Sequence, residues 1–435
     1  MSLSLGASAA TAARSSAPRY TLFILMLAYS CNVMDRNILT MVLEPIRHEF
    51  ALSDTQLGLL SGLSFAIFYA VAGLPLGAAA DRVNRRNMIF VCLTLWSGMT
   101  AVCGMVGSFV QLLVARIGVG IGEAGGGPPA MAMISDLFPA KRRATAISTF
   151  YLASPIGAMI SFAGGGWLAQ HYGWRAAFFA MGVPGLLLAT VMLLTVREPT
   201  RGLSDADGGR AVAATRRPLL GETLCFIASQ RSLLHIIAGT TLTVFVVSGF
   251  GTWSASFFIR THGFAPASIG GVLAAAAATG GLIGTMAGGL IVDRMARRDD
   301  RWRAWTLALA SLITAPLIVA CVLAPTAGAS VAAYFVYILV SFAWYGPVHG
   351  LSQTLVDVRM RATISAIVNL VSNLLGVGLG SQFIGIESDR LAPRLGAQSL
   401  RYAMATAAFF SLWAALHFWL AGRTVRADLR RVVKG

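Results

Sequence analysis

Charged residues, lysines and cysteines are all scarce in this sequence. Only 12% of its 435 residues are charged, against about 25% in soluble globular domains, and just two of the 34 basic residues are lysines. The five cysteines are scattered and odd in number, which predicts neither a disulfide framework nor a metal site. A Gly-x-x-x-x-Gly-Lys phosphate loop is also missing, so ATP is not the expected energy source, and we predict no cofactor.

Apolar residues are abundant instead, at 56%, and they occur in long blocks. A block of about twenty residues lets a helix cross about 30 Å of hydrocarbon, where every backbone polar group must be paired internally. The sequence therefore predicts an all-α polytopic membrane protein with twelve transmembrane helices. The predicted spans lie near 20–45, 54–80, 87–107, 109–136, 143–170, 174–196, 233–260, 266–292, 303–324, 328–356, 361–386 and 399–422.

One long polar connection divides these spans into six and six. We predict an N-terminal tail over 1–19, a six-helix bundle over 20–196, a linker over 197–232, a second six-helix bundle over 233–422 and a basic tail over 423–435. The N-terminal tail lacks the apolar core of a signal peptide, so the first span is expected to remain in the mature protein.

The basic residues indicate which side of the membrane each loop faces. The net charge is +16, and 26 of the 34 arginines and lysines fall in the tails, the linker and the loops on the same side, whereas six fall in the opposite loops. This asymmetry predicts that both termini are cytoplasmic, and it explains the basic composition without nucleic-acid binding. The preference for arginine, alanine and glycine is typical of GC-rich bacteria, so we expect a protein of the bacterial inner membrane.

A repeated loop indicates two homologous halves. The pattern Gly-x-x-x-Asp-Arg-x-x-Arg-Arg follows both span 2 and span 8, and matched residues lie 212 positions apart. The two copies comprise Gly77, Asp81, Arg82, Arg85 and Arg86, and Gly289, Asp293, Arg294, Arg297 and Arg298. Such duplications are typical of carriers whose two bundles rock around a central site.

The repeated loop also resembles the signature of the major facilitator superfamily. Arg116-x-x-x-Gly120 in span 4 is similar to a second motif of that family, and Arg197-Glu198-Pro199 is similar to the sequence that closes its first half. The resemblance implies the major facilitator fold, transport by alternating access with a proton gradient as the energy source, and a carrier that works as a monomer.

A narrower likeness points to the spinster-like branch of that superfamily. It is carried by Asp35-Arg36 in span 1 and by Gly122-Glu123-Ala124 in span 4. This branch includes carriers of lysolipids and sphingolipid phosphates. The resemblance therefore implies, as partners, the lipid bilayer, protons and a small-molecule or lysolipid-like substrate.

Four ionisable side chains fall inside predicted spans: Asp35 and Arg36 in span 1, and Arg116 and Glu123 in span 4. Each would cost about 2.5–3.5 kcal/mol at the centre of a membrane helix, so they should pair or face water. We interpret Asp35 and Glu123 as proton-exchanging acids. Arg36 and Arg116 would be their switchable partners and, beside Asn32, anchors for an anionic headgroup. The alternative is a permanent ion-pair knot that only joins the two spans.

The family resemblance also implies a gate latch in the repeated loops. Asp81 is expected to cap the start of span 11, and Asp293 the start of span 5, with Gly77 allowing a close approach. The basic members of the latch are Arg82, Arg86 and Arg294. These contacts would break when the carrier opens inward. The simpler alternative is topogenic charge combined with an ordinary helix cap.

The second half supplies candidates for the opposite wall of a cavity. They are Asn369 and Asn373, four apart on span 11, and Trp344, Tyr345 and His349 along span 10. A cavity with charge on one side and aromatic groups on the other would suit an amphipathic solute, although interhelical packing would explain the same residues. Glu387 and Asp389, near the outer mouth, are expected to be solvated.

The function predicted is proton-coupled secondary active transport of a small organic or amphipathic solute, such as an anionic lysolipid or sphingolipid-like molecule. One alternative is an organic-anion/proton symporter, because two buried arginines suit a small anion equally well. Another is a membrane receptor or sensor built on a carrier scaffold, which would bind ligand without flux. An enzyme is not expected, since no nucleophile–base pair or metal cluster falls at a shared depth.

Overall fold

The computed structural model describes residues 18–80, 82–201, 220–356 and 360–434, and over these residues it is built of helices. Ten continuous helical stretches are long and apolar enough to cross a membrane. Two of them contain two crossings each, because the chain reverses at Gly173 and Gly396, where φ is 83° and 52°. The predicted fold of twelve transmembrane helices is therefore confirmed.

The spans can now be given their observed bounds. In chain order they are Pro18–Phe50, Asp54–Ala80, Arg85–Cys103, Phe109–Leu137, 140–172, 174–195, Arg231–His262, Pro266–Ala296, Trp302–Leu323, Ala327–Thr354, 361–395 and Ser399–Lys434. A short linker helix, Leu220–Ser229, precedes span 7.

Short polar residues set the starts of several spans. Ser53 begins span 2 with a capping box, in which its side chain accepts from the Gln56 backbone while the Gln56 side chain accepts from the Ser53 backbone. Asn84, Ser108 and Thr326 cap spans 3, 4 and 10 in the simpler way, through one side-chain oxygen. These caps satisfy N–H groups that a helix leaves unpaired at its first turn.

Two ends of the molecule can be distinguished by contacts between span termini. At the linker end, the hydroxyls of Tyr20 and Thr195 lie 2.8 Å apart, and the Ser232 backbone donates to Asp428 over 2.9 Å. These contacts join the start of span 1 to the end of span 6, and the start of span 7 to the end of span 12. The opposite end, which we call the far end, contains the connections between spans 1 and 2 and between spans 7 and 8.

The two halves meet along spans 2 and 11 and along spans 5 and 8. A side chain at Gly62 of span 2 would place its Cβ 2.8 Å from the carbonyl oxygen of Gly378 in span 11, so only glycine permits this approach. On the other seam, the Ala267 backbone donates to the Gln170 side chain over 3.0 Å. Each of these four spans contains a π-helical turn, at Leu59–Leu63, Ile160–Gly164, Gly280–Gly284 and Ser372–Val377. Equivalent bends in equivalent helices agree with two homologous halves.

The linker and the C-terminal tail differ in detail from the sequence-based bounds. The first part of the linker packs on the N-terminal bundle, where Arg201 donates to the Val83 carbonyl oxygen over 2.7 Å. The last part forms the linker helix. Residues 423–434 continue the helix of span 12 instead of leaving it, because no proline or glycine interrupts that stretch.

Candidate functional site

A cavity of about 980 Å³ lies between the two halves, in the half of the molecule nearest the linker. Its lining comes from the linker-end portions of spans in both bundles. The side chains predicted to line it include Asn369, Asn373, Trp344 and His349, and all four do so. The side chain of Tyr345 lies outside the described part of the chain. Most of the remaining lining is aliphatic or aromatic, so the cavity is apolar apart from a few defined points.

One ion pair lies on the cavity wall, and we call Arg36 and Glu123 the cavity pair. Arg36 Nε donates to Glu123 Oε2, and the Arg36 side chain is 36% exposed whereas that of Glu123 is fully buried. The guanidinium lies over the rings of Phe65 and Tyr69, at 5.0 and 5.1 Å from their centroids. These aromatic faces hold the cation by cation–π attraction while its terminal nitrogens remain open to the cavity. Asn32 lines the same wall, as predicted.

A second pair lies behind the first, and we call Asp35 and Arg116 the sealed pair. Both are buried and neither lines the cavity. Arg116 Nη1 donates to the backbone carbonyl oxygen of Asp35 over 3.1 Å, and not to its carboxylate. Within the described residues, both Asp35 carboxylate oxygens and Arg116 Nε lack hydrogen-bond partners. The four charged side chains therefore come together as predicted, but in two layers of different access.

Glycines allow span 4 to bring its charged residues close to the neighbouring helices. A Cβ at Gly122 would lie 2.7 Å from the backbone nitrogen of Trp96 in span 3. Directly after Glu123 the helix is interrupted, since one segment ends at Ala124 and the next begins at Gly127. Span 4 thus combines close packing before the acid with a local break after it.

A cluster of opposite charges joins the halves at the far end, and sequence reasoning did not find it. Arg260 of span 7 donates two hydrogen bonds to Asp54, at 2.7 and 2.8 Å, and a third to Glu44 at 2.8 Å. Asp389 accepts from the backbone nitrogens of Asp54 and Thr55, at 3.0 and 2.7 Å. The expectation that Asp389 is simply solvated was wrong, because its carboxylate caps the start of span 2. We call Glu44, Asp54, Arg260 and Asp389 the far-end cluster.

The latch residues within the described ranges make no such bridge in this conformation. Around Gly77, a Cβ would meet nothing within 4 Å, so the close approach expected there is not made. Arg82, Asp293 and Arg294 are exposed, and Asp81 lies outside the described residues. Arg86 contacts its own bundle, where it donates to the Val196 carbonyl oxygen over 3.2 Å.

Arg85, which the motif contains but which received no role, is the buried member of that loop. Its guanidinium bonds to Asp136, to Glu198 over 2.7 Å and to the Pro199 carbonyl oxygen over 3.0 Å. The end of span 6 is thereby fastened to the start of span 3 and to the end of span 4. The loop therefore stabilises one bundle internally while its exposed residues remain available to the other.

Comparison with known proteins agrees with this architecture. A family model for the Major Facilitator Superfamily matches residues 25–381. An MFS-type efflux pump of Mycolicibacterium smegmatis is 32% identical over 93% of either chain. The sphingosine-1-phosphate transporter SPNS2 of Danio rerio is 28% identical, over 83% of this chain and 74% of that protein.

A solved structure with the same arrangement is a bacterial homologue of the human lysosomal transporter spinster, in an inward-facing, unoccupied conformation. It superposes with a TM-score of 0.85 at 30% identity and covers 94% of this chain and 98% of its own. The likeness to the spinster-like branch expected from the sequence is thus confirmed.

Proposed function

The chain belongs to the Major Facilitator Superfamily, and we propose that it is a proton-coupled carrier of an anionic amphipathic solute. The observation that carries this proposal is the position of the cavity pair. A guanidinium that is already paired with an acid faces a mostly apolar cavity between two bundles. An anion that enters can therefore exchange places with the acid.

The substrate class follows from the chemistry of the two walls. Arg36 offers terminal nitrogens that suit a carboxylate or phosphate held by two hydrogen bonds. The opposite wall includes Ile367, Leu370 and Phe342, which would cover a hydrocarbon chain. The likeness to a sphingosine-1-phosphate transporter supports an anionic lysolipid or sphingolipid-like molecule.

Coupling follows from competition for Arg36. A buried carboxylic acid binds its proton more tightly once its cationic partner has turned to another anion. Substrate on Arg36 therefore favours a proton on Glu123, and a proton on Glu123 frees Arg36 for substrate. Because linkage is reciprocal, the two ligands bind cooperatively and would cross together. Asp35 would be the second acid, exchanging its proton only when the sealed pair becomes accessible.

The orientation proposed is with both termini in the cytoplasm of a bacterial cell. The charge bias of the loops supports it, and the cavity then opens to the cytoplasm. Among the five cysteines only Cys225, on the linker helix, is exposed. A membrane-impermeant thiol reagent should therefore label intact cells poorly and inverted vesicles well, with Cys225→Ser as the unlabelled control. Strong labelling of intact cells and weak labelling of inverted vesicles would reverse the orientation.

The transport proposal is tested in proteoliposomes that contain a pH dye. In the wild type, addition of fluorescent lysophosphatidate should cause protons to cross the membrane together with the lipid. In Glu123→Gln and in Asp35→Asn, proton flux should no longer accompany lipid flux. If both variants respond to an imposed pH gradient as the wild type does, the coupling proposal is wrong. Glucuronate is tested in parallel, and proton-coupled flux of glucuronate instead of lysophosphatidate would favour the organic-anion alternative. Saturable binding of either probe without flux would indicate a receptor. A single chain per liposome should suffice, since one chain forms the whole cavity.

A further inference from the structure

Unpaired polar atoms from three spans are concentrated around the sealed pair. They belong to Asp35 and to Arg116, as described, and also to the Thr100 hydroxyl of span 3 and to Glu123 Oε1. Buried polar groups are nearly always hydrogen-bonded, because leaving one unpaired costs about 1–3 kcal/mol and more for an ion. Several such atoms in one place indicate partners that pair in another state of the cycle.

Thr100 is placed to be one of those partners. It is fully buried, and its hydroxyl lies close to the Asp35 carboxyl without making a well-formed hydrogen bond to it. One turn earlier on span 3, Trp96 lines the cavity, and one turn later Cys103 lies near both members of the sealed pair. Residues at this spacing share one face of a helix. That face of span 3 therefore runs from the cavity to the sealed acid.

We propose that Thr100 is a positioning residue for the coupling proton, and that its hydroxyl bonds to the Asp35 carboxyl when the sealed pair rearranges. The inference rests on the proposed proton coupling and adds a third helix to its machinery. A hydroxyl both donates and accepts, so it can serve the ionised acid and the protonated acid alike. Arg116 can only donate, so it cannot accept the O–H of the protonated acid. Thr100 would thus let Asp35 change protonation without leaving that O–H unpaired.

The other groups around Asp35 do not supply this property. Glu123 and Arg116 face it from span 4, Cys103 from span 3, and Cys31 lies one turn away on span 1. Arg36 follows it in the chain but turns to the cavity. Glu123 and Arg116 act on the Asp35 carboxyl electrostatically, without a hydrogen bond to it. The two thiols are weak hydrogen-bond partners. Thr100 is the hydroxyl among the described residues that we find beside the carboxyl.

The substitution that isolates this role is Thr100→Val, because valine keeps the branched shape and removes the hydroxyl. Thr100→Ser restores the hydroxyl in a smaller side chain and is the matched control. A purely structural role would be preserved by valine and weakened by serine. A positioning role predicts the reverse order, with valine impaired and serine close to the wild type.

The experiment uses infrared difference spectroscopy of the full chain in liposomes during a pH change. The carbonyl band of the protonated Asp35 side chain is assigned by its loss in Asp35→Asn. We expect this band to move to higher frequency in Thr100→Val, as an acid that has lost a hydrogen bond should, and to return in Thr100→Ser. Lysophosphatidate-coupled proton flux should fall roughly tenfold in Thr100→Val, the loss expected for one hydrogen bond to a charged group.

Failure of this inference can be told apart from failure of the transport proposal. An Asp35 band that titrates identically in the wild type and in Thr100→Val would remove Thr100 from the mechanism and leave the coupling proposal intact. Absence of any band that depends on Asp35, together with normal coupling in both Asp35→Asn and Glu123→Gln, would overturn both.

Discussion

The far end of this molecule has far fewer charged residues than the linker end, and the two ends use them in opposite ways. At the far end, Arg260 of one half is bonded to Asp54 and Glu44 of the other, and the charges are buried. At the linker end, Asp293 and Arg294 are exposed, and the cavity separates the two halves. Among the residues that the structure describes, the halves are therefore held together by charge at the far end only. For alternating access, the far-end cluster must break when contacts at the linker end form.

The substitution with the largest expected effect on the difference between the two ends is Arg260→Ala. It would leave the buried carboxylates of Asp54 and Glu44 with Arg47 as their remaining cation, at 3.5 and 4.0 Å. Removal of one partner from a buried pair costs about 3–5 kcal/mol. The far end should therefore open in a large fraction of molecules. Spin labels at Met105→Cys and Arg394→Cys, in a Cys225→Ser background, should report a longer distance across the far end.

The matched control is Arg390→Ala at the same end. Arg390 is 73% exposed and contacts only Glu387, at 3.8 Å, so its loss should leave the label distance unchanged. An unchanged distance in Arg260→Ala as well would mean that the glycine-lined seams close the far end without help from charge.

A smaller effect is expected from Arg85→Gln at the linker end. Arg85 fastens segments of a single bundle, so its loss should lower thermal stability by about 2–4 kcal/mol without moving the two halves apart. Arg297, its counterpart in the repeat, is exposed, and Arg297→Gln should change the melting temperature little. Equal destabilisation by both substitutions would contradict the internal role assigned to the first loop.

How far the sequence could predict these features depends on the kind of signal. Span number and duplication are strong signals because apolar length and a repeat 212 residues apart are local properties of the chain. The meeting of Asp35, Arg36, Arg116 and Glu123 was also predictable, since charges inside spans must find one another. Their division into two layers was not, because side-chain direction depends on how span 4 packs on span 3.

The far-end cluster was missed for a related physical reason. Asp54 and Arg260 lie at span ends, where charges are ordinary and solvation is the simplest expectation. Only the packing of spans 1 and 2 against spans 7 and 11 buries them together. The role of Asp389 likewise depends on a backbone that lies 335 residues away in sequence. Contacts between halves of a duplicated chain leave no periodic signal within either half.

A finer test of the far end is Asp389→Asn. The amide keeps the shape and one acceptor but removes the negative charge from the start of span 2, which should weaken closure by about 1 kcal/mol. The label distance at positions 105 and 394 should then show a minor open population, smaller than that in Arg260→Ala. Glu387→Gln, on the same helix, is the control that should show none.

The smallest effect on stability is expected from Asp293→Asn, and it sharpens the comparison from the other end. Asp293 is exposed in the present conformation, so the melting temperature of the variant should be almost that of the wild type. If it caps span 5 when the linker end closes, the variant should lose about 0.3–1 kcal/mol in the opposite conformation alone. Arg260→Ala favours that conformation, so the combined variant should close the linker end less often than Arg260→Ala by itself. If the combined variant closes the linker end as often as Arg260→Ala does, the repeated loop serves topology and not gating.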